Sequence, residues 1–457
     1  MRATALRFSE GHDMAQQLQI DEGDAQEEMY ARNWTDGLPV VPPTPSRVDA
    51  MLAGAGLAAT EALGEIKERS RVLTAEKAAI NAVMAGCRPE YFPVVVAALR
   101  ALLTPAFNAH TALTSTGGAA SCLVVSGPYA EEIGMRSRLN VLGPGNRANM
   151  TIGRAVRLVA ANVFGARTGE MDGSSIGHPG KLSMCLAEYD PPAPWEPLRV
   201  ELGFDRSETT VTILAAEGPR QVANHLNPDP AGVLLTFAAA MRNPATYCVG
   251  KGAQGLVILG YEHSLILREA GWSKQQIREF LMEHSRISAD ELEQWGILKE
   301  KGSQHDLGET YDGKLPAIAT IDDLFVVTAG GAGAGWSAYI PTWAPTKHNR
   351  GVTVAVELPN GSAPVVDDAK IAAVVAALAP GLRSDGADLT AKVTGRRSVE
   401  FTLVIPSQAC ADCVMPARML QPIFAREVEQ ILGSGWSLTI NDPRDDASHP
   451  LNAGQKR

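Results

Sequence analysis

Four short apolar runs punctuate the chain: Leu123–Val125, Val211–Leu214, Leu256–Leu259 and Leu324–Val327. Each stops at a turn, respectively Ser126-Gly127-Pro128, Glu217-Gly218-Pro219, Gly260-Tyr261 and Ala329-Gly330-Gly331. Continuous rather than alternating apolar runs are the pattern of strands covered by helices on their faces. Helical spacing appears elsewhere. Glu76–Ala85 and Tyr91–Leu103 place Ile80, Val83, Val95, Leu99 and Leu102 on one face, and Gly86–Glu90 joins them into an αα-hairpin. A further helix is predicted over Asp24–Asn33. The Asp36-Gly37 turn then leads into Leu38–Val41, a short strand whose Pro39 suits an edge, and Thr44-Pro45 opens the next helix. Ser273–Gln276 and Ser288–Glu291 have capping-box spacing and start two short helices. The expected fold class is α/β, a multi-strand helix-covered sheet. Val124–Gly134 parallels Ile258–His263 and the helix ending at Gly271, so an internal duplication is one reading and independent strand-turn-helix units the other.

At 457 residues the chain is expected to hold two or three domains. We divide it into a polar tail over 1–22 expected to be disordered, a large α/β catalytic or binding domain over 23–357 that allows two subdomains, a small α+β domain over 365–441, and a second polar tail over 442–457. The formal charge of −10 argues against nucleic-acid binding, which needs Lys and Arg to neutralise phosphates. No run approaches the ~20 apolar residues that span a bilayer, so the expectation is a cytoplasmic protein without a membrane partner. Six cysteines with one close pair do not make a disulfide framework; Cys87, Cys122, Cys185 and Cys248 are expected to be reduced and buried.

The densest polar chemistry lies in the large domain. Gly143–Asn149 is a Gly-rich turn opening a helix, where free N–H groups favour an anion and Asn146, Arg147, Asn149 and Arg154 add donors. The alternative is a tight turn with solvated arginines. The stretch matches neither nucleotide-binding fingerprint, so no nucleotide cofactor is expected. Gly169–Lys181 packs two carboxylates, two hydroxyls, His178 and Lys181 between glycines, an acid–base inventory on a loop. It also spells Gly-x-Ser-x-Gly around Ser175, without the strand before and helix after that a nucleophile elbow needs. Glu262 and His263 follow a strand end, where open α/β sheets bind ligands, and suit acid–base work or, with His178, His225 or His348, a metal. Gly331, Gly333 and Trp336 belong to a second Gly-rich loop that lets backbone approach a planar ligand. Cys87, between two helices, is a further candidate nucleophile whose alternative is a buried small hydrophobe.

Near the C-terminus, Cys410-Ala411-Asp412-Cys413 sits between the apolar run Phe401–Ile405 and a helical stretch, Ala417–Leu432, broken by Pro422. Two thiols near a helix N-terminus suit metal, cluster or redox chemistry. With the preceding helical Ala372–Leu378 and the acidic Ser384-Asp385-Gly386 turn, the order resembles the C-terminal domain of NifU-like iron-sulfur proteins over about 80 residues. The resemblance implies an iron-sulfur cluster or divalent metal on Cys410 and Cys413. Two cysteines cannot fill four ligand positions, so a second chain, and hence a homo-oligomer, or another segment would supply the rest. Thr35–Pro345, with its Met84–Tyr91 and Gly143–Asn149 stretches, resembles a bacterial group of unassigned activity. The combined expectation is an enzyme, a lyase or hydrolase, acting on a small anionic or aromatic metabolite. Its substrate's anion would be held by Asn146, Arg147 and Arg154, with Glu262, His263, His178 and Lys181 moving protons. The alternatives are an iron-sulfur or metal carrier and a thiol-disulfide redox enzyme.

Overall fold

The apolar runs become strands of one mixed sheet. In the computed structural model, which describes residues 3–8, 16–21, 24–297, 312–359, 368–395, 398–406, 414–432 and 436–445, the chain divides into two units, Met1–Pro359 and Asn360–Arg457. The sheet of the first unit contains β1 (Ala120–Ser126), β2 (Met184–Glu188), β3 (Thr210–Ala216), β4 (Arg220–Ala223), β5 (Ala253–Leu259), β6 (Leu324–Thr328), β7 (Trp336–Pro345) and β8 (Val352–Ala355). Its order is β6-β5-β7-β3-β1-β2, with β8 paired to β3 and β4 to β7.

This topology repeats. The helix α1 (Phe92–Leu102) precedes β1; α2 (Pro128–Glu132) and α3 (Arg147–Asn162) connect it to β2, and β3 and β4 follow. In the same order α4 (Pro230–Met241) precedes β5, α5 (Tyr261–Glu269) and α6 (Lys274–His284) lead to β6, and β7 and β8 follow. In each half the first strand runs parallel to the second and antiparallel to the third. The fourth strand of each half crosses over to pair with the third strand of the other, and the Thr342↔Ala216 pair joins the two third strands. The repeat extends to detail. Gly127 and Gly260 cap the helices after β1 and β5, and a Cβ on either would strike backbone at the start of the third strand of its own half.

Alternation along the strands sorts the core. Leu123 and Val125 face the helices of the first half, Val257 and Leu259 those of the second, while Cys122, Val124, Leu256 and Ile258 meet in a shared layer with Leu186, Leu214, Val327 and Ile340. The outer strands of the path approach one another where Tyr189 N donates to Thr328 O at 3.1 Å and Thr328 Oγ1 to Tyr189 O at 2.7 Å.

The helices expected over Glu76–Ala85 and Tyr91–Leu103 form at Ala75–Ala85 and Phe92–Leu102, and Ser273 makes both bonds of its capping box. Two expectations for this unit change. The N-terminal segment contains an antiparallel hairpin, Ala3–Phe8 with Gln16–Asp21, anchored by Arg7 N to Pro43 O at 2.9 Å and an Arg7–Asp49 ion pair at 2.7 Å. Leu38–Val41 joins no sheet; Val41 N is satisfied by Met84 O at the end of the adjacent helix instead. Among the described residues no single helix is long and apolar enough to cross a membrane.

The second unit, by itself, contains α7 (Asp368–Ser384), β9 (Asp388–Gly395), β10 (Ser398–Val404), α8 (Ala417–Leu432) and β11 (Ser437–Asn441). Strand β10 is central, antiparallel to β9 and parallel to β11. The helices bury Val374, Leu382, Phe424 and Val428 against Leu389, Phe401 and Leu403, and Phe401 meets Phe424 edge to face at 5.1 Å. The α8 assignment continues past Pro422, whose ring removes one backbone donor. Asp442, assigned from sequence to the tail, is buried and ion-paired to Arg444 at 2.6 Å.

Candidate functional site

The polar loop singled out from the sequence folds back on α3. After that helix the chain reverses at Gly165, with φ 73°, and passes through Asp172 to Lys181. Asp172 is buried. It receives Arg157 Nη2 at 3.0 Å on Oδ2, and Lys181 Nζ at 2.8 Å and Ser174 Oγ at 2.5 Å on Oδ1. Lys181 Nζ also contacts Ser174 Oγ. Burial acts to raise the Asp172 pKa, but the bonds from Lys181 and Ser174 and the Arg157 charge outweigh it and hold the carboxyl below its ordinary value.

These groups line a cavity of about 710 Å³, shared with Arg167, His178, Asp36 and Glu170. Burial, aided by the Lys181 charge, pushes the His178 pKa below its ordinary value against a bond to the Ala216 carbonyl, so the ring is neutral near pH 7. Its Nε2 and the Nε of Arg167 are both buried without a hydrogen-bond partner. Unmatched polar atoms of this kind are costly in a finished interior, and here both belong to side chains that line one cavity.

Of the residues picked out from the sequence, His178 and Lys181 are brought together here. The other candidates of the first unit lie outside the lining of this cavity. Asn146 caps α3, accepting Asn149 N at 3.0 Å and donating to Gly134 O at 2.8 Å. Asn149 is buried and clips Arg136 through its N–H and carbonyl, both at 2.9 Å. Arg154 is held by Asp36 in two bonds of 2.7 Å and donates to Pro39 O at 2.9 Å, which leaves its guanidinium committed to the scaffold beneath the cavity rim. Arg147, exposed, donates to Gly86 O at 2.9 Å.

The strand-end candidates of the second half are engaged with one another. His263 is fully buried, with Nδ1 2.7 Å from Ser337 Oγ and Nε2 3.1 Å from Asn224 O. The Glu262 carboxylate accepts Gly333 N at 2.6 Å and Gly335 N at 3.3 Å. Two backbone donors of the second Gly-rich loop are therefore taken by the protein's own carboxylate. Gly331 packs against Leu139, and Trp336 lies edge to face with His225 at 4.9 Å.

Among the described residues no group of three or more His, Cys, Asp or Glu is placed to hold a metal ion, so His178, His225 and His348 do not gather around Glu262 and His263. Cys410 and Cys413 lie outside the described residues. Cys87 is buried, donates to Thr151 O at 3.3 Å, and desolvation pushes its thiol up to about 12, which removes it as a nucleophile. Cys122, Cys185 and Cys248 are likewise free and buried.

The sequence reading passed over Arg157 and Arg167 and did not separate Asp172 and Ser174 from their loop. One signal was available: Arg157 stands three residues after Arg154, on the same face of an amphipathic helix. Comparison with known proteins finds no matching family and no matching curated sequence.

Proposed function

We propose that the chain is an enzyme, a hydrolase or lyase, acting on a small anionic metabolite in the cavity between α3 and the Gly169–Lys181 loop. The observation that carries the reading is the convergence of Asp172, Ser174, Lys181 and a neutral His178 on one cavity. Arg167 adds a positive charge to the lining, suited to a substrate carboxylate or phosphate. His178, uncharged at neutral pH, completes the polar lining. The aromatic alternative loses support, because Trp336 lies outside the lining of this cavity.

Titration calorimetry with a panel of small mono- and dicarboxylates and phosphate esters tests the reading. Binding that is weakened about tenfold or more by Arg167→Gln is the expected result. Absence of binding across the panel, or binding indifferent to Arg167 and Lys181, would overturn it. In the second unit we propose that Cys410 and Cys413 hold a metal or iron-sulfur cluster shared between two chains, since two thiolates leave ligand positions open. Metal content and the visible spectrum of anaerobically purified protein, compared with Cys410→Ser, decide that point; a colourless, metal-free wild type refutes it.

A further inference from the structure

We propose that Ser174 is a nucleophile and that the substrate is a carboxylic ester, thioester or amide carrying a negative charge, an inference that rests on the cavity being a substrate site. Two side chains converge on the Ser174 hydroxyl from different points of the chain. Its proton is donated to Asp172 Oδ1 at 2.5 Å, and Lys181 Nζ contacts Ser174 Oγ itself. Both neighbours are fixed: the Asp172 side chain is 2% exposed and tied to Arg157, and the Lys181 side chain is 16% exposed. A local turn explains only part of this. Ser174 N also bonds Asp172 Oδ1, at 3.2 Å, as a short Asp-initiated turn would. The turn does not require a lysine seven residues downstream to meet the same hydroxyl, nor the hydroxyl to border a cavity of about 710 Å³.

The Gly-x-Ser-x-Gly spacing points at the neighbouring residue, but Ser175 is exposed, its N–H is bonded to Thr116 O at 3.0 Å, and it does not line the cavity. The geometry selects Ser174.

The chemistry balances without a co-reactant other than water. Ser174 Oγ attacks the acyl carbonyl carbon and forms the C–O bond as its proton passes to Asp172 Oδ1. Because a paired carboxylate is a weak base, proton transfer accompanies bond formation rather than preceding it. The Lys181 side chain stabilises the oxyanion that develops, in the role backbone donors play in other acyl transfers. The carbon–heteroatom bond then breaks and the leaving group takes the proton from Asp172. Water attacks the acyl-serine, gives its proton back through Asp172, and releases the acid and the free hydroxyl. Arg167 holds the substrate's anionic group.

A short alkyl fluorophosphonate, which phosphonylates activated serines with loss of fluoride, tests this on the full-length protein without knowledge of the natural substrate. Intact-mass and peptide mass spectrometry should show one adduct, on Ser174, absent in Ser174→Ala and present at the wild-type rate in Ser175→Ala. Lys181→Met should slow labelling about a hundredfold while its melting temperature and circular dichroism show it folded. No adduct on the wild type, an adduct on another residue, or wild-type labelling of folded Lys181→Met would each overturn the proposal. Anion titration separates the two readings: a bound carboxylate with no adduct removes only the nucleophile, whereas neither binding nor labelling removes the site as well.

Discussion

The two halves of the large unit share an element order and a strand pairing but treat their polar residues in opposite ways. In the second half, Glu262, His263, Asn224 and Ser337 satisfy one another and the backbone of the Gly-rich loop. In the first, Asp172, Ser174 and Lys181 are bonded to one another and still border a cavity, and Arg167 and His178 each keep a nitrogen unmatched. A polar residue at a favourable place in the topology is thus an opportunity that the fold can use for its own support. What sets the first-half cluster apart is that its polar groups also border a cavity.

The largest expected effect lies just beneath the cavity. Arg154→Ala strands the Asp36 carboxylate, whose side chain is 7% exposed, and should cost about 4 kcal/mol in urea unfolding. A loss below about 1 kcal/mol would mean the pair is solvated and Arg154 is available to ligand after all. Next, His263→Ala should cost about 3 kcal/mol, from the void and the two orphaned partners, and leave fluorophosphonate labelling of Ser174 unchanged. If labelling falls with stability intact, the second half is a site and the contrast fails. Lys181→Met should abolish most labelling at a stability cost of about 2 kcal/mol, because Asp172 keeps its Arg157 partner. Smallest is Glu262→Gln, below about 1 kcal/mol, which should appear as faster hydrogen exchange at Gly333 and Gly335 only.

Acid sharpens the same contrast. Burial first of all, against the Asn224 carbonyl bond and the Glu262 charge, pulls the His263 pKa below its ordinary value, so the folded protein holds the ring neutral while the unfolded chain protonates near pH 6.5. Stability from this group is complete above about pH 6.5 and is lost as pH falls from there toward the folded value. His263→Gln should flatten the dependence of melting temperature on pH below about 6.5. His178, also depressed, adds to the wild-type slope, and a bound anion that favours its protonated form should reduce that share.

Strands buried on both faces were legible because nothing but apolar residues fits there, and helix starts such as Ser273 were legible because capping is local. Strand β7 was not: it contains Pro341 and Pro345, carries a register shift between them, and begins at Trp336, which read as part of a binding loop. The candidate site was half legible. Composition marked the Gly169–Lys181 loop, and His178 and Lys181 within it. Composition is blind to pairing, however, so Arg154 with Asp36 and Glu262 with the Gly333 amide looked as available as Lys181. The N-terminal hairpin was hidden because its anchors, Pro43 and Asp49, lie some forty residues away.

The exchange of β4 and β8 between halves has a consequence for synthesis. When residue 223 has been made, β3 still lacks β8 as a neighbour and β4 lacks β7. Translation at 5–20 residues per second leaves that edge open for on the order of ten seconds before Ala355 appears. The nascent chain must therefore be kept from pairing with another copy of itself, whose own β4 would fit the vacant edge of β3 by the repeated geometry. A chain truncated after the first half should yield this swapped dimer or an aggregate, and the intact chain closes the exchange within one molecule.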